Sequence, residues 1–461
     1  MPLRLPDDLM VSVSGVRGRV GASMTPELIV GIAAAFGTWL REGGHEGPLV
    51  MGRDSRTSGP MLGRSVLAGL QSVGVDVIDL GVVPTPTALL AVEHHDAAGA
   101  IVVTASHNPA EWNALKLVSS EGSFLDAEAS REFRDFLATE ELARAGWDEL
   151  GEVTSDPGAV DRHLGAILEL PQLDLERLGR RKLKVALDCV RGAGGVIMPR
   201  LLEDLGCEVV SIHTEPDGHF PRDPEPTAAH LTELGDLVRE CGADIGLAVD
   251  PDVDRLSLVD ETGTPIGEDL TLALAVAVVL RETPGPVVTN LSTSRVIEDV
   301  TDAYDSVLVR APVGEIHVAR RMQEEGAVIG GEGNGGVILP DLHFTRDAPV
   351  AAALVLQYLC DAGTRTSRTV ADWPRYSIVK RKVAFEREHL EGAYAALIED
   401  LDADEEDRTD GLRLAWSKDR AWLHVRPSGT EPVVRIIAEA PDEDAAGALV
   451  RRAEDLLNGV A

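Results

Sequence analysis

The chain has 461 residues, too many for one hydrophobic core, and this length predicts about three domains. Its net charge of −34 argues against nonspecific binding to nucleic acid or to anionic membranes. Any anionic substrate therefore requires basic side chains that are concentrated at one place.

The four cysteines stand far apart and form no Cys-x-x-Cys pair, which favours a reduced compartment. The N-terminus lacks the apolar core of a signal peptide. The longest apolar run, 270–280, is well short of the ~20 residues that span a bilayer, and it predicts a buried helix. We therefore expect a soluble cytoplasmic protein that acts on neither nucleic acid nor membranes.

The first polar segment, 13–19, places Arg17 between two glycines. This pattern suggests a tight loop that presents a guanidinium, which is a good phosphate partner. An ordinary glycine turn with a solvated arginine is the alternative. A Thr-Pro pair at 25–26 then predicts the start of a helix that ends near residue 40.

A strand, a polar loop, a helix and a second strand follow one another three times along the chain. The repetition predicts three similar α/β units with mixed, largely parallel sheets, and such units place ligand loops at the carboxyl ends of their strands. The strands are predicted at 48–51 and 75–80, at 184–187 and 208–212, and at 286–289 and 306–309, and the helices between them at 63–73, up to residue 205 and from residue 295.

Acidic or proline-rich shifts in composition mark the boundaries between domains. They predict three α/β domains at 1–153, 154–258 and 259–370, followed by a smaller α+β domain at 371–461. The last domain combines strands at 378–385, 412–416, 421–425 and 433–438 with helices at 386–401 and 443–457, and residues 400–407 are predicted to form an acidic surface loop.

The sequence TASHNP at 104–109 follows an apolar strand predicted at 100–103. Ser106 leaves this strand on a loop and precedes a helix-blocking proline, so it is a candidate nucleophile or carrier of a covalent group. A strand-end turn with capping side chains is an equally good interpretation of this loop alone. If Ser106 is a nucleophile, His107 is the obvious candidate for its base.

Lys116 lies ten positions after Ser106 and is one of only six lysines in the chain. Its position and the scarcity of lysine favour a general base or a phosphate partner. The alternative is an isolated surface lysine.

The sequence DPDVDR at 250–255 follows an apolar strand predicted at 245–249. Carboxylates at alternate positions, Asp250, Asp252 and Asp254, can converge on one hard cation, and Mg²⁺ suits such oxygen ligands. An EF-hand is excluded because its glycine and its terminal glutamate are missing. An acidic turn and a two-aspartate phosphatase are alternatives, but a third aspartate followed by Arg255 fits metal binding beside a cation better.

The sequence GGEGNGG at 330–336 follows a strand predicted at 327–329. Its glycines, among them Gly331, let the backbone approach a ligand, while Glu332 and Asn334 offer hydrogen-bonding groups that suit a sugar. A flexible hairpin is an equally good interpretation of this segment alone.

The sequence RPSGTEP at 426–432, with an arginine beyond it, combines hydroxyls, loop N–H groups and two guanidiniums. These groups can form a phosphate cradle, and their concentration in so acidic a chain favours phosphate binding over a plain turn. The candidate ligands are Arg426, Ser428, Gly429, Thr430 and Arg435.

The order of these motifs resembles that of the α-D-phosphohexomutase superfamily, which comprises phosphoglucomutases, phosphomannomutases and phosphoglucosamine mutases. The resemblance covers nearly the whole chain. It rests on the four motifs at 104–109, 250–255, 331–335 and 426–432, and is supported by the stretches 14–18, 52–56, 84–87, 217–221 and 313–315.

The resemblance implies four domains around a central cleft. It implies that Ser106 is carried as phosphoserine and that Mg²⁺ is held by this phosphate and by the three aspartates. Arg17 and Lys116 would lie beside the transferred phosphoryl group, with Lys116 as general base. His107 would then order the phosphoserine loop instead of acting as the base.

The same resemblance implies how a phosphosugar is held. Glu332 and Asn334 would bind sugar hydroxyls, with Gly331 and Arg255 also in the substrate site, and the 426–435 segment would bind the phosphate that is not transferred. Such an enzyme interconverts hexose 6- and 1-phosphates through a hexose or hexosamine 1,6-bisphosphate. A monomer or a homodimer is expected.

Some residues depart from the family pattern. Gly336 stands where many members have a histidine, Asn334 replaces the usual serine, and Ala114 stands where glycine is common. The GEGNGG form and Ala105 resemble archaeal-type phosphoglucosamine mutases. Glucosamine 6-phosphate, converted to glucosamine 1-phosphate, is therefore the expected substrate, and a phosphomannomutase or phosphoglucomutase activity is the alternative.

Two other functions are less consistent with the sequence. A phosphosugar-binding protein without activity should have lost Ser106, Lys116 or an aspartate of the 250–255 loop, and the sequence retains all of them. A serine hydrolase is disfavoured because no Gly-x-Ser-x-Gly elbow surrounds Ser106.

Overall fold

The computed structural model describes residues 5–6, 9–12, 15–139, 142–428 and 433–460. Its four sheets form three α/β units and a C-terminal α+β unit, which confirms the predicted fold class. Among the described residues, no helix is long and apolar enough to cross a membrane.

The first unit contains a seven-stranded sheet and four helices. Its elements are β1 (Met10–Ser12), β2 (Gly15–Arg19), α1 (Pro26–Glu42), β3 (Leu49–Arg53), α2 (Gly59–Gln71), β4 (Val77–Val82), α3 (Thr85–His94), β5 (Gly99–Val103), β6 (Trp112–Val118), α4 (Ala127–Thr139) and β7 (Val153–Ser155). The strand order is β1-β2-β6-β5-β3-β4-β7. Helix α1 begins as predicted, because Thr25 caps it by accepting the Leu28 N–H at 3.4 Å.

The second unit contains a four-stranded sheet in the order β11-β10-β8-β9. Its elements are α5 (Ala159–Leu168), α6 (Leu175–Arg181), β8 (Lys184–Asp188), α7 (Met198–Asp204), β9 (Glu208–Ile212), α8 (Thr232–Cys241), β10 (Ile245–Val249) and β11 (Leu256–Asp260).

The third unit also contains a four-stranded sheet, in the order β13-β12-β14-β15. Its elements are α9 (Glu268–Glu282), β12 (Val287–Asn290), α10 (Val296–Ala303), β13 (Leu308–Ala311), α11 (Glu315–Glu325), β14 (Ile329–Glu332), β15 (Gly336–Ile338), α12 (Ala348–Ala362) and α13 (Thr366–Ala371). Helix α9 contains the apolar run 270–280 and buries it, as predicted.

The three sheets share one topology. In each, the first strand along the chain lies in the middle and pairs parallel with the second strand on one side and the third on the other. The fourth strand pairs antiparallel with the third. The orders are β4-β3-β5-β6, β9-β8-β10-β11 and β13-β12-β14-β15. The TASHNP and DPDVDR motifs lie between the third and fourth strands of this repeat, and the GEGNGG motif spans the same connection, including the ends of β14 and β15. Three equivalent connections therefore carry three different chemistries.

The fourth unit is an antiparallel sheet in the order β16-β20-β19-β18-β17 with two helices. Its elements are β16 (Ser377–Ala384), α14 (Leu390–Leu401), β17 (Glu405–Asp407), β18 (Leu412–Trp416), β19 (Ala421–Pro427), β20 (Val433–Ala440) and α15 (Glu443–Val460). It has its own hydrophobic core, in which Leu397, Leu423 and Leu457 are buried.

The second and third units share one continuous core. Leu187 and Val249 of the second sheet belong to the same buried cluster as Leu272 of α9 and Leu356 of α12. Because interiors are close-packed, this core fixes the loops of the two units relative to each other.

Several elements differ from their predicted positions. Helix α2 begins at Gly59 and not at 63, with Pro60 in its first turn, and β4 and β13 start later than predicted. The acidic segment 400–407 contains the edge strand β17, which pairs with β18. Apolar runs locate a strand approximately, whereas pairing with its neighbour decides which of the run's residues form the ladder.

Two strands lie across the expected domain boundaries. Strand β7 pairs with β4, so residues 154–155 extend the first sheet beyond 153. Strand β11 pairs with β10, so residues 259–260 complete the second sheet beyond 258.

Candidate active site

All four units line one cleft of about 690 Å³, in agreement with the predicted arrangement. Ser106 and Lys116 line it from the first unit and Arg255 from the second. Glu332 from the third unit and Arg426 from the fourth also face it. The cleft therefore brings together residues of all four sequence motifs.

The loop of Ser106 is held in an unusual conformation. Ser106 has a φ of +49°, in the left-handed region that non-glycine residues rarely adopt. Its N–H donates to Thr104 Oγ1 at 2.9 Å, and the Thr104 hydroxyl donates to Asp54 Oδ2 at 2.7 Å. Strain that is maintained by specific hydrogen bonds is typical of functional loops.

Arg56, which the sequence motifs did not identify as a site residue, holds the backbone of this loop in place. Its side chain is fully buried and its Nε donates to Asp54 Oδ2 at 2.9 Å. The guanidinium donates at 2.5–3.0 Å to the carbonyl oxygens of Ser106, Asn108, Pro109 and Trp112. The available signal was the polar segment 52–56 at the end of a predicted strand.

Arg17 and His107 flank Ser106. Arg17 donates to Asn108 Oδ1, and burial lowers the pKa of its guanidinium. His107 Nδ1 lies 3.3 Å from Ser106 Oγ. The charge of Arg255, followed by burial and Arg17, lowers the pKa of His107 to about 2, so the ring is neutral and too weak a base to deprotonate a hydroxyl. This electrostatic environment supports an ordering role for His107.

The three aspartates form a buried cluster directly beneath Ser106. The Ser106 hydroxyl donates to Asp250 Oδ2 at 2.9 Å. One carboxylate oxygen from each of Asp250, Asp252 and Asp254 lies within 4.8 Å of the others. Val253 between them has a φ of +65°, which is unusual for a β-branched residue and turns the loop so that the carboxylates converge.

The donor set of this cluster fits Mg²⁺. Asp252 Oδ1 and Asp254 Oδ1 are buried and have no hydrogen-bond partner among the described residues. Burial and the charges of Asp254 and Asp252 raise the pKa of Asp250 well above its usual range. Buried carboxylate oxygens that lack hydrogen-bond partners, within a cluster of three acidic groups, are the expected environment for a hard cation.

Lys116 is paired with the same cluster. Its Nζ donates to Asp252 Oδ2 at 2.7 Å and to Asp254 Oδ2 at 3.4 Å. Burial lowers the pKa of Lys116, but the two aspartates more than offset this effect and the pKa is raised overall. The amine is therefore charged as long as the aspartate charges are not neutralised.

The predicted sugar loop is the turn of the β14–β15 hairpin. Glu332 Oε1 accepts from Asn290 Nδ2 at 2.8 Å and from the Gly314 N–H at 3.2 Å. Asn334 Nδ2 donates to Glu332 Oε2 at 3.4 Å. Gly331 has no side chain in the cleft; a Cβ there would lie 2.1 Å from the Gly336 carbonyl oxygen, so this glycine permits close approach within the hairpin.

Arg346, the residue before α12's N-cap, was also missed. Its side chain is 8% exposed, and its guanidinium donates to Glu332 Oε2 at 2.7 Å and to Asp254 Oδ2 at 2.6 Å. Burial lowers the pKa of Arg346, but Asp254, Glu315 and Glu332 raise it far more. The sequence contained no motif that distinguishes this arginine from other basic residues.

Arg255 is a further cation in the DPDVDR segment 250–255, which we call the metal loop because it carries the candidate Mg²⁺ ligands. Its N–H donates to Asp250 Oδ1 at 3.2 Å, and its Nη1 donates to Glu225 Oε1 at 3.1 Å. Its side chain lines the cleft, as the predicted substrate-binding role requires.

The fourth unit contributes a row of three cations. Lys382 on β16 pairs across the sheet with Arg435 on β20, which pairs in turn with Arg426 on β19. Directly paired residues project from the same face of a sheet, and all three line the cleft. Adjacent like charges repel, so the row is suited to an anion. Lys382 was not among the predicted ligands.

The rest of the predicted phosphate loop is only partly described. Ser428 is buried; its N–H donates to the Val433 carbonyl at 2.8 Å and its carbonyl accepts from Arg387 at 2.7 Å. Gly429 and Thr430 lie outside the described residues.

Four family models match the chain. They are described as phosphoglucomutase/phosphomannomutase α/β/α domain I over residues 9–144, domain II over 161–263 and domain III over 267–376, and as the phosphoglucomutase/phosphomannomutase C-terminal domain over 378–456.

Two archaeal proteins are similar along most of their length. The chain is 39% identical over 441 residues to a protein of Thermococcus kodakarensis named phosphoglucomutase/phosphomannomutase, with 94% of each chain covered. It is 40% identical over 440 residues to a protein of Methanopyrus kandleri named probable phosphoglucosamine mutase, again with 94% of each chain covered.

A solved structure shares the whole architecture. The crystal structure of a phosphoglucomutase/phosphomannomutase family protein from Burkholderia thailandensis superposes with a TM-score of 0.85 at 28% identity, covering 98% of this chain and 99% of that one. The chain therefore belongs to the phosphoglucomutase/phosphomannomutase family of phosphohexomutases and is an enzyme of the isomerase and phosphotransferase type.

Proposed function

We propose that the protein interconverts the 6- and 1-phosphates of a hexosamine through a phosphoserine at Ser106, with glucosamine 6-phosphate as the preferred substrate. One observation carries the mechanism. Ser106 Oγ lies 2.9 Å from Asp250 in a cleft whose walls also carry the Arg426–Arg435–Lys382 row. A nucleophile and a second anion site in one cleft suit a substrate that exchanges phosphate between two positions.

In the first transfer, the phosphoryl group leaves Ser106 Oγ and bonds to the free hydroxyl oxygen of the bound sugar phosphate. The hydroxyl proton passes to Lys116, and the product is a sugar bisphosphate. Arg17 and Arg255 lie where they can offset charge that spreads onto the phosphoryl oxygens. The bisphosphate then turns in the cleft. The Ser106 oxygen bonds to the phosphoryl group at the other position, and the sugar oxygen that leaves takes back the proton from Lys116.

Asp250, Asp252 and Asp254 would hold Mg²⁺ in this scheme. The ion would supply positive charge to the transferred phosphoryl group and would neutralise the aspartates. Lys116 would then lose the ion pairs that keep it protonated, which is the condition for a general base.

The sugar phosphate is held at both ends. Arg426, Arg435 and Lys382 bind the phosphate that is not transferred, and Glu332 and Asn334 bind sugar hydroxyls. The preference for glucosamine rests on the GEGNGG hairpin and on the name of the Methanopyrus kandleri relative.

Glucose or mannose phosphates are the second candidate substrates. The Thermococcus kodakarensis relative, named phosphoglucomutase/phosphomannomutase, is as similar to this chain as the relative named for glucosamine. All three sugar phosphates would react through the same phosphoserine at Ser106, so the mechanism does not depend on which sugar is preferred.

A side-by-side mutase assay with glucosamine, glucose and mannose 6-phosphates tests the substrate. We expect the highest kcat/KM with glucosamine 6-phosphate. A dominant preference for glucose or mannose would overturn the choice of sugar and leave the phosphoserine mechanism standing. Absence of turnover with all three, in protein that carries phosphate on Ser106 and is supplied with Mg²⁺, would contradict the mutase function itself.

A further inference from the structure

Arg346 connects three carboxylates from three different elements. Its Nη2 donates to Asp254 of the metal loop at 2.6 Å, and its Nη1 donates to Glu332 of the sugar hairpin at 2.7 Å. Its Nε lies 3.1 Å from Glu315 at the start of α11. A planar guanidinium can face three carboxylates at fixed angles, which a lysine ammonium on a flexible stem cannot reproduce.

The backbone around Arg346 is fixed as well. Its N–H donates to Glu315 Oε1 at 2.8 Å. Asp347 caps α12 by accepting the Val350 N–H at 3.0 Å, and the Ala348 N–H donates to the Val253 carbonyl at 3.2 Å. The segment that carries the guanidinium is therefore attached directly to the turn of the metal loop.

Gly336 provides the space for the stem of Arg346. A Cβ at position 336 would lie 2.3 Å from Cδ and 2.9 Å from Cγ of Arg346, well inside van der Waals contact. The backbone of Gly336 is outside the left-handed region, so other residues could adopt its conformation. Space, not conformation, requires glycine here.

We propose that Arg346 is the positioning residue that couples the metal loop to the sugar hairpin, and that Gly336 is glycine to admit its side chain. The inference rests on the proposed function, because it assigns Asp254 to Mg²⁺ and Glu332 to the sugar. One guanidinium donates to both Asp254 and Glu332. A ligand that moves either carboxylate, or neutralises its charge, therefore changes how Arg346 holds the other carboxylate. Mg²⁺ and sugar phosphate therefore alter each other's affinity through Arg346.

A double-mutant cycle on Gly336 and Arg346 tests the pair. The variants are Gly336→Ala, Arg346→Ala and the double variant, with Gly165→Ala in α5 as control because a Cβ there meets nothing within 4 Å. We expect kcat/KM to fall about tenfold for Gly336→Ala and about a hundredfold for Arg346→Ala. The double variant should lose much less than the sum of the two single losses, since Arg346→Ala removes both short contacts of the added methyl group and leaves only Asn334 Oδ1 at 3.1 Å.

Arg346→Lys separates charge from geometry. It retains the positive charge and loses the planar fork, so we expect KM for the sugar phosphate to rise at least about fivefold while the circular dichroism spectrum and the melting temperature stay near those of the parent. A purely structural role predicts a change in melting temperature without this rise in KM.

The coupling is measured by binding, without turnover. In Ser106→Ala protein, the dissociation constant of MgCl₂ is determined by calorimetry with and without saturating glucosamine 6-phosphate. We expect the two constants to differ about tenfold, and the difference to fall below about twofold when Arg346→Lys or Arg346→Ala is added.

Three results would overturn the inference: losses in the double variant that simply add, a Gly336→Ala protein that behaves like Gly165→Ala, or an unchanged ratio of binding constants without Arg346. If the Ser106→Ala parent binds no hexose phosphate, the proposed function is contradicted instead. The same double-mutant cycle is then measured as the free energy of unfolding in urea. Additive losses in this measurement would still contradict the proposed contact between Gly336 and the Arg346 side chain.

Discussion

Single buried charges set the positions of the reacting groups in this cleft, and the Asp54–Arg56 pair beneath Ser106 is the clearest example. The pair is fully buried, and Arg56 donates to four carbonyl oxygens of the loop that carries Ser106. The strained backbone of Ser106 is thus maintained by a residue that does not face the cleft.

Arg56→Met should lower the free energy of unfolding by about 3–5 kcal/mol, because it leaves the Asp54 carboxylate buried without its cation. Arg56→Lys keeps the charge but cannot reach four carbonyls, so it should cost less stability and still lower kcat. Urea unfolding and steady-state kinetics measure the two effects. Arg64→Met, at an exposed position of α2, is the matched control. Equal effects at positions 56 and 64 would contradict the assigned role.

Lys116→Met should lower kcat by about a hundredfold or more, which is the usual contribution of a general base. The change leaves all three aspartates of the candidate metal site in place, so Mg²⁺ binding should remain nearly intact. Kinetics and Mg²⁺ calorimetry distinguish the two effects. Unchanged turnover would exclude Lys116 as the base.

The sequence predicted the residues that stand in motifs and missed those that act through packing. Ser106 and the three aspartates occur at loop positions after apolar strands, a pattern that is visible without a structure. Arg56 and Arg346 are single arginines whose importance depends on burial and on carboxylates far away in sequence. Nothing local distinguishes them from a solvated arginine.

At the scale of elements, the site is one structural unit used three times. The serine, metal and sugar loops all connect the third and fourth strands of the repeated four-stranded topology. The repetition of strand, loop and helix was visible in the sequence. The equivalence of these three connections was not, because it depends on the antiparallel pairing of β6, β11 and β15.

A titratable pair joins the C-terminal ends of the neighbouring strands β8 and β9 in the second unit. His213 Nδ1 lies 3.0 Å from Asp188 Oδ1, and Arg222 donates to Asp188 Oδ2 at 2.6 Å. The hydrogen bond with Asp188 raises the pKa of His213 above its usual value of 6.5. The protonated ring is therefore favoured by folding.

This raised pKa predicts a pH-dependent stability. The contribution of His213 is fully present below about pH 6.5, the unfolded value, and is lost as pH rises through the higher folded pKa. Asn tolerates the φ of +54° at this position, so His213→Asn removes the ring with little backbone strain. The difference in free energy of unfolding between wild type and His213→Asn should be larger at about pH 6 than at about pH 9.

His45→Asn, at an exposed position, is the control for the loss of an imidazole ring. A difference for His213→Asn that stays constant between the two pH values would contradict the assigned ion pair.

At the scale of the whole molecule, the second and third units form one body and the fourth is separate. The former share a core, whereas the fourth has its own. Polar pairs join the fourth unit to the third, among them Ser292 with His424 at 2.8 Å and Glu439 with the Arg295 N–H at 2.9 Å. A ligand that contacts both the Ser106 loop and the cation row would connect the first unit to the fourth.

Binding should therefore close the cleft. In Ser106→Ala protein, we expect the radius of gyration from X-ray scattering to decrease when glucosamine 6-phosphate is added. An added Arg435→Met, which interrupts the cation row, should abolish or weaken the change. Scattering curves that are identical with and without saturating ligand would contradict closure by the fourth unit.

The most direct test of the account is to locate the phosphate. Purified protein is incubated with a hexose 1,6-bisphosphate, and its peptides are mapped by mass spectrometry, alongside Ser106→Ala. We predict a phosphate on Ser106, lost when excess glucosamine 6-phosphate is added, and no mutase turnover in Ser106→Ala. Phosphate on another residue, together with full activity of Ser106→Ala, would contradict the assignment of Ser106 as the phosphate carrier.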